Sequence, residues 1–253
     1  MELEMQINTS DISIAVLTCQ RPGFYVGETI RQIVKEGGAR LPRRIYLDGT
    51  MDFSDALTRR LRPYGGDEWE VVRLGEGLGS SEAMRRLVVH SAQEGRTLLF
   101  FEDDLLLCKN AVSRMIAQHV PDDVGVVTFF DMKEVKPDSM PGLYRRPADG
   151  TDGRGFWGAQ CLKFAPETLT WLAQHDWMAE SRGDSRMASD ILMGRVIVKH
   201  PRRNRLAVHV PCLVEHVGQT SACFPGLSLL PHWRRATNFM GNSFDAMSLG
   251  PMS

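Results

Sequence analysis

The sequence predicts an α/β fold: a single domain with a mostly parallel central sheet flanked by helices. Short apolar runs alternate with amphipathic stretches in the order β-α-β-α-β-loop-α-β through residues 12–101, the pattern of right-handed crossovers between parallel strands. The runs are apolar throughout rather than at every second residue, as suits strands covered on both faces. A third observation concerns where the polar residues fall. Asp48, the glycine-rich stretch 75–81 and the acids Glu102, Asp103 and Asp104 each end or follow a predicted strand. In open parallel sheets ligands bind at the carboxyl ends of strands.

The elements follow in order. "ISIAVLT" (12–18) reads as a buried strand. "RPGFYVGETIRQIVKEGG" has helical spacing and stops at Gly37-Gly38, where glycine ends helices. "RRIYLD" (43–48) is a second strand, and "SDALTRRLRPYGG" a helix with Ser54 as its cap. "WEVVRL" (69–74) is a third strand. "SSEAMRRLVVHSAQEG" is a helix capped by Ser80 or Ser81, and "TLLFF" (97–101) a fourth strand. Beyond it, "GVVTFFD" (125–131) and "FWGAQCLKF" (156–164) read as strands, separated by a Pro/Gly/charged segment, 132–155, expected to be a mobile loop. A helix starts near Pro166-Glu167, another spans 186–200 with Ser189 or Asp190 near its start, and "LAVHVP" and "LVEH" are short extended pieces.

Bulk properties exclude several classes. A net charge of -1 over 253 residues gives no electrostatic reason to bind nucleic acid or an anionic membrane. No apolar run reaches spanning length, and the polar start "MELEMQINTSDIS" lacks the basic and apolar regions of a secretory signal. Five scattered cysteines without C-x-x-C spacing fit a reducing compartment. The expectation is a cytoplasmic protein with no membrane span.

"RTLLFFEDDLLLC" (96–108) places three acids inside an apolar run, which is costly unless something neutralises them. Residues two apart on a strand share a face, so Glu102 and Asp104 would face one way and Asp103 the other. Two adjacent carboxylates at a sheet edge suit Mn²⁺ or Mg²⁺. The same acids would also serve as helix caps or surface ion-pair partners.

An apolar strand ending in an acidic triplet, a hundred residues into a β-α-β chain, resembles the GT-A class of nucleotide-sugar glycosyltransferases, family 2-like and marked by a D-x-D motif. "IAVLTCQRP", "YLDG" and "GLGSSEAMRRLVVHSAQEGRTLLFFEDD" are similar to its first strand and turn, its second-strand end, and its path to the metal motif. Glu-Asp-Asp stands where many members have Asp-x-Asp, which leaves open which acid meets the metal and which the ribose. The resemblance covers 12–105 well and the remainder loosely. It implies a tail (1–11), a nucleotide-sugar-binding half (12–105), an acceptor-binding half (106–220) and a flexible C-terminal tail (221–253).

The resemblance also implies roles. Thr18 and Arg21 would lie against the nucleoside, Asp48 would bind uracil or ribose, and Asp103 would take the donor side of the acidic triplet. Either Arg85 or Arg86 would reach the base, since neighbours on a helix point about 100° apart. "PCLVEHVGQTS" (211–221) resembles a late His-x-Gly segment, making His216 the third metal ligand beside Glu102 and Asp104. Asp190 occupies a place where inverting members keep a general base, with Asp184 and Glu180 as competitors; an ordinary helix N-terminal acid would look the same. Trp157 and Gly158 fall where sugars rest, and Trp233, Arg234 and Arg235 where a tail would fold over the diphosphate.

The implied activity is transfer of a sugar from a nucleotide diphosphate sugar, UDP-linked by preference, to a hydroxyl acceptor with inversion. The alternatives are a nucleotidyltransferase on a related sheet and a non-catalytic sugar- or nucleotide-binding module. The first would want a Gly-rich basic loop where this chain has "CQRPGF".

Overall fold

The computed structural model describes residues 11–20, 24–131, 139–149, 158–181, 188–218 and 235–250. Its strands are β1 (Ile12–Cys19), β2 (Arg43–Asp48), β3 (Glu70–Gly75), β4 (Thr97–Glu102), β5 (Leu105–Leu107), β6 (Val124–Thr128), β7 (Gly142–Pro147), β8 (Cys161–Phe164), β9 (Arg205–Val210) and β10 (Val214–His216). The helices are α1 (Val26–Ile33), α2 (Met51–Leu61), α3 (Gly79–Ala92), α4 (Ala111–Ala117), α5 (Pro166–Gln174), α6 (Trp177–Glu180) and α7 (Ser189–Ile197). Eight strands form one sheet in the order β3-β2-β1-β4-β8-β6-β9-β7, and β5 pairs with β10 in a separate ribbon.

β1, β2, β3 and β4 are mutually parallel, as are β6 and β9; β8 runs antiparallel between β4 and β6. This is the single-domain, mostly parallel α/β architecture that the sequence predicts. The order reverses between β1 and β4, so a crevice opens there at the carboxyl ends of the strands.

Successive strand residues feed opposite faces. Ile14, Val16, Leu99 and Phe101 pack with Val26, Ile30 and Ile33 of α1, Leu57 and Leu61 of α2, and Met115 of α4. Ala15, Leu98 and Phe100 pack instead with Met84, Leu87 and Val88 of α3, Leu169 and Leu172 of α5, and Leu192, Met193 and Val196 of α7. Both faces of β4 are therefore core, and the run "TLLFF" has no room for charge until Glu102.

Several local expectations need correction. α2 is capped by Thr50, whose Oγ1 accepts the Phe53 N–H at 3.1 Å; the helix therefore starts a full turn before the expected cap, Ser54. Neither Ser80 nor Ser81 caps α3; Leu78 holds the N-cap position without a side-chain bond, and a residue of β2 does the work instead. The 132–155 segment contains strand β7, laid antiparallel on β9 at the sheet's edge. Its sequence "GLYRRP" hides the strand because an edge tolerates Arg and Pro that an interior strand would reject. The strand after it is shorter than 156–164, beginning at Cys161.

Residues 235–250 lie against the body. Thr237 N–H donates to Asp131 O at 2.7 Å, Lys109 N–H to Asn242 O at 3.1 Å, and Ala246 N–H to Lys109 O at 2.9 Å. Among the described residues no helix is long and apolar enough to cross a membrane, and Cys19, Cys108, Cys161 and Cys212 are free thiols.

Candidate active site

The strand register delivers the site. Cys19 pairs with Asp48 across β1–β2, and Leu17 pairs with Glu102 across β1–β4. Thr18, Asp48 and Glu102 therefore leave the sheet together at its carboxyl edge. On the other side, Glu102 N–H donates to Gln160 O at 2.8 Å, which brings the Gly158–Gln160 turn before β8 to the same place.

The chain bends after Glu102 and resumes as β5. Glu102, Asp104 and His216 each offer a ligand atom, and these lie within 4.8 Å of one another. His216 arrives through the β5–β10 ladder, in which it pairs with Leu105. Its Nε2 stands 3.2 Å from Asp104 Oδ2, and both side chains are buried. Donors around one divalent ion at about 2.0–2.6 Å lie up to about 4–5 Å apart, so the spacing accommodates Mn²⁺ or Mg²⁺. Two carboxylates and an imidazole also suit such an ion chemically. A further sign is Gly218: a Cβ there would sit 2.0 Å from Asp104 Oδ2 and 3.2 Å from His216 Cε1. The glycine two residues after the histidine is needed for space, with the carboxylate resting on its Cα. Val217 N–H donates to Asp104 O at 2.9 Å and closes the corner.

Asp103 stands apart from this trio, an arrangement made by the bend at 103–104 rather than by a continuing strand. Its Oδ2 accepts the Thr18 hydroxyl at 2.5 Å, and its backbone carbonyl accepts the Thr29 hydroxyl at 2.8 Å. Thr18 and Asp103 are both buried, so this bond ties the acidic bend to the end of β1.

Asp48 has a structural task. Its Oδ1 and Oδ2 accept the backbone N–H groups of Leu78 and Gly79, each at 3.1 Å. These are orphan donors at the start of α3, and the aspartate replaces the expected serine cap. One lone pair remains on each oxygen for a further donor. Gly79 has φ +75° in this turn, a conformation that favours glycine.

Arg85 is held by Glu82 in a bidentate pair at 2.7 and 2.8 Å, and Arg86 bonds Glu82 and the Leu74 carbonyl, each at 2.8 Å. The two guanidiniums pull the Glu82 carboxyl down to about 2. Asp190 stands in the first turn of α7 and is buried. Its Oδ2 accepts Gly158 N–H at 2.9 Å and its Oδ1 accepts Ile191 N–H at 2.8 Å. The Gly158–Gln160 turn thus links Asp190 to the backbone of Glu102. Glu180, its competitor, bonds Lys199 through its carboxylate and Arg195 through its carbonyl instead. Arg21, Trp157, Asp184, Trp233 and Arg234 lie outside the described residues.

Two residues of the site escape the sequence patterns. Glu215 Oε1 accepts the N–H groups of His216 at 3.0 Å and Ala236 at 2.9 Å, joining β10 to the C-terminal segment; burial pushes its carboxyl up. Thr29 sits on the face of α1 that otherwise buries Val26, Ile30 and Ile33. The readable sign was a polar series, Thr29, Gln32 and Glu36, at helical spacing within an apolar face.

No family model and no curated protein sequence matches the chain. Among solved structures it is similar to a mannose-1-phosphate geranyltransferase from Thermus thermophilus, with 14% identity, a TM-score of 0.42, and coverage of 79% of this chain and 74% of that one. It is also similar to the apo form of the glycosyltransferase GlyE of Streptococcus pneumoniae, with 11% identity and a TM-score of 0.45. That likeness covers 76% of this chain but only 44% of GlyE.

Proposed function

We propose that the protein is a metal-dependent glycosyltransferase of GT-A type, moving a sugar from a nucleotide diphosphate sugar, UDP-linked by preference, to a hydroxyl acceptor with inversion. One juxtaposition carries the reading. His216 lies over a hundred residues beyond Glu102 and Asp104 in the chain, yet all three hold ligand atoms within 4.8 Å of one another at the sheet's switch-point edge. Glu102, Asp104 and His216 would hold Mn²⁺ or Mg²⁺, and such an ion when bound offsets diphosphate charge and stabilises a departing nucleotide.

The other residues divide the work. Thr18 and Asp103 fix each other at the end of β1 and give the nucleoside a rigid floor. Asp48 keeps lone pairs for a ribose hydroxyl or a base N–H. Arg85 reaches a nucleotide only by releasing Glu82, and Arg21 stands next in sequence to the same edge. Asp190 lies across the Gly158–Gln160 turn from the acids, on the acceptor side, where its carboxylate would take the proton of the attacking hydroxyl. The free thiols suit a reducing, cytoplasmic setting.

The test is a thermal-shift series with UDP- and GDP-sugars, with and without Mn²⁺, followed by slow donor hydrolysis. Metal-dependent stabilisation by a UDP-sugar, lost in the Glu102→Ala/Asp104→Ala double variant, supports the reading. Stabilisation by sugar alone, without metal, points to a binding module; pyrophosphate release from a nucleoside triphosphate points to a nucleotidyltransferase. Asp190→Asn keeps an acceptor for Gly158 N–H and should lower kcat by about 10²–10⁴ with donor KM unchanged. A kcat left intact removes Asp190 from the mechanism.

A further inference from the structure

The acidic bend is gripped from below by one helix. Three buried polar side chains of α1 and the turn after it, Thr29, Gln32 and Glu36, point into the protein. Gln32 Oε1 accepts Leu107 N–H at 2.8 Å, and Glu36 Oε2 accepts Asn110 N–H at 2.7 Å. Thr29 Oγ1 accepts Leu105 N–H at 3.1 Å while donating to Asp103 O at 2.8 Å. The series acts as a surrogate strand along one edge of β5, whose other edge pairs with β10. Buried backbone groups need partners, and among the described residues these three side chains supply them to Leu105, Leu107 and Asn110 N–H.

Thr29 differs from the other two in what it brackets. Its hydroxyl uses one donor and one acceptor site on the two peptide groups flanking Asp104. On the far side, Val217 N–H holds the Asp104 carbonyl. The Asp104 side chain can then project only toward Glu102 and His216. Gln32 and Glu36 bind peptides beyond the bend.

We infer that Thr29 is a positioning residue of the cation site: its hydroxyl clamps the backbone on both sides of Asp104 and so sets the geometry of the ligands. This rests on the metal-binding reading above. The residue touches neither ion nor substrate. Outer partners of this kind typically control metal affinity by about 10–100-fold.

The experiment titrates the full chain with Mn²⁺ alone by calorimetry, alongside thermal unfolding. Thr29→Val has the same shape without the hydroxyl and should weaken Mn²⁺ binding at least tenfold. Thr29→Ser restores the hydroxyl and should bind within threefold of the parent. Gln32→Met removes an equivalent bond beyond the bend; it should lower Tm but leave Mn²⁺ affinity within twofold. Should Thr29→Val not fold, Thr29→Ala replaces it against the same serine control. A folded Thr29→Val or Thr29→Ala with parental Mn²⁺ affinity, or a Gln32→Met that loses as much affinity, overturns the assignment and leaves the metal site standing. A parent that binds no Mn²⁺ sensitive to Glu102→Gln or Asp104→Asn overturns the metal reading itself, and the positioning role with it.

Discussion

Substituting Gly218 by alanine isolates the geometry of the proposed cation site from its chemistry, because no proposed ligand is removed. The added Cβ would lie 2.0 Å from Asp104 Oδ2 and 2.8 Å from its Cγ, where ordinary contact begins at 3.4 Å. The gap must open by more than an ångström. Asp104 cannot yield through its backbone, whose carbonyl is held by Val217 N–H. The displacement falls on the carboxylate or on the 216–218 corner, and either route separates Asp104 from His216. Misplacing a reacting group by about 1 Å can cost about 10²-fold in rate. A tenfold loss of affinity equals about 1.4 kcal/mol. Gly218→Ala should therefore bind Mn²⁺ at least tenfold more weakly by calorimetry, and its far-UV circular dichroism should match the parent's. Parental Mn²⁺ affinity in a folded Gly218→Ala protein would refute the claim that this corner holds the carboxylate in place.

Three further outcomes follow from packing and titration. His209 is wholly buried, its Nδ1 bonds the Pro211 carbonyl, and burial pulls its imidazole from 6.5 to about 4. Between those values the unfolded chain binds the extra proton, so stability falls as pH drops from 6.5 to 4, by up to about 3 kcal/mol; urea melts across this range should show the slope, and His209→Gln should flatten it. Lys163 caps the last turn of α4, its Nζ donating to the carbonyls of Met115, Ile116 and Gln118 at 2.8, 3.0 and 2.7 Å. Lys163→Met strands those carbonyls and should lower the unfolding free energy by about 2 kcal/mol, measured by denaturant melts. Asp48→Ala removes the only side chain that bonds the first N–H groups of α3 among the described residues and should cost about 1–2 kcal/mol, with Asp48→Asn costing less.

The sheet was legible because burial on both faces leaves a clear mark: the middles of "ISIAVLT", "RRIYLD" and "TLLFF" are runs of buried apolar residues, and each became a strand of the parallel half. β7 was illegible for the opposite reason. An edge strand carrying Arg145, Arg146 and Pro147 satisfies only one neighbour and keeps no periodic pattern. The caps failed because capping does not require proximity in sequence. Asp48 serves α3 from thirty residues upstream, while Ser80 and Ser81 stand at the local spot where a serine would ordinarily do it. Strand alternation groups Glu102 with Asp104 and sets Asp103 apart, and that grouping is found although a bend at 103–104, not a continuous strand, produces it. That His216 stands beside Asp104 follows from the resemblance of "PCLVEHVGQTS" to a late His-x-Gly segment and from no local pattern, because the contact depends on a three-rung ladder between segments over a hundred residues apart. Thr29 was harder still: the polar series Thr29, Gln32 and Glu36 marks a buried polar stripe on α1, but which backbone groups it meets is set by β5, about 75 residues away.

The split origin of the three proposed ligands has a consequence for biosynthesis. A nascent chain can assemble β1 to β4 and both carboxylates while the histidine is still inside the ribosome. If these residues hold a cation as proposed, its capture would report that translation has passed residue 216, and a fragment ending before it would hold manganese poorly. On the proposed reading, apo and loaded forms should differ in protease resistance chiefly at the 214–218 corner.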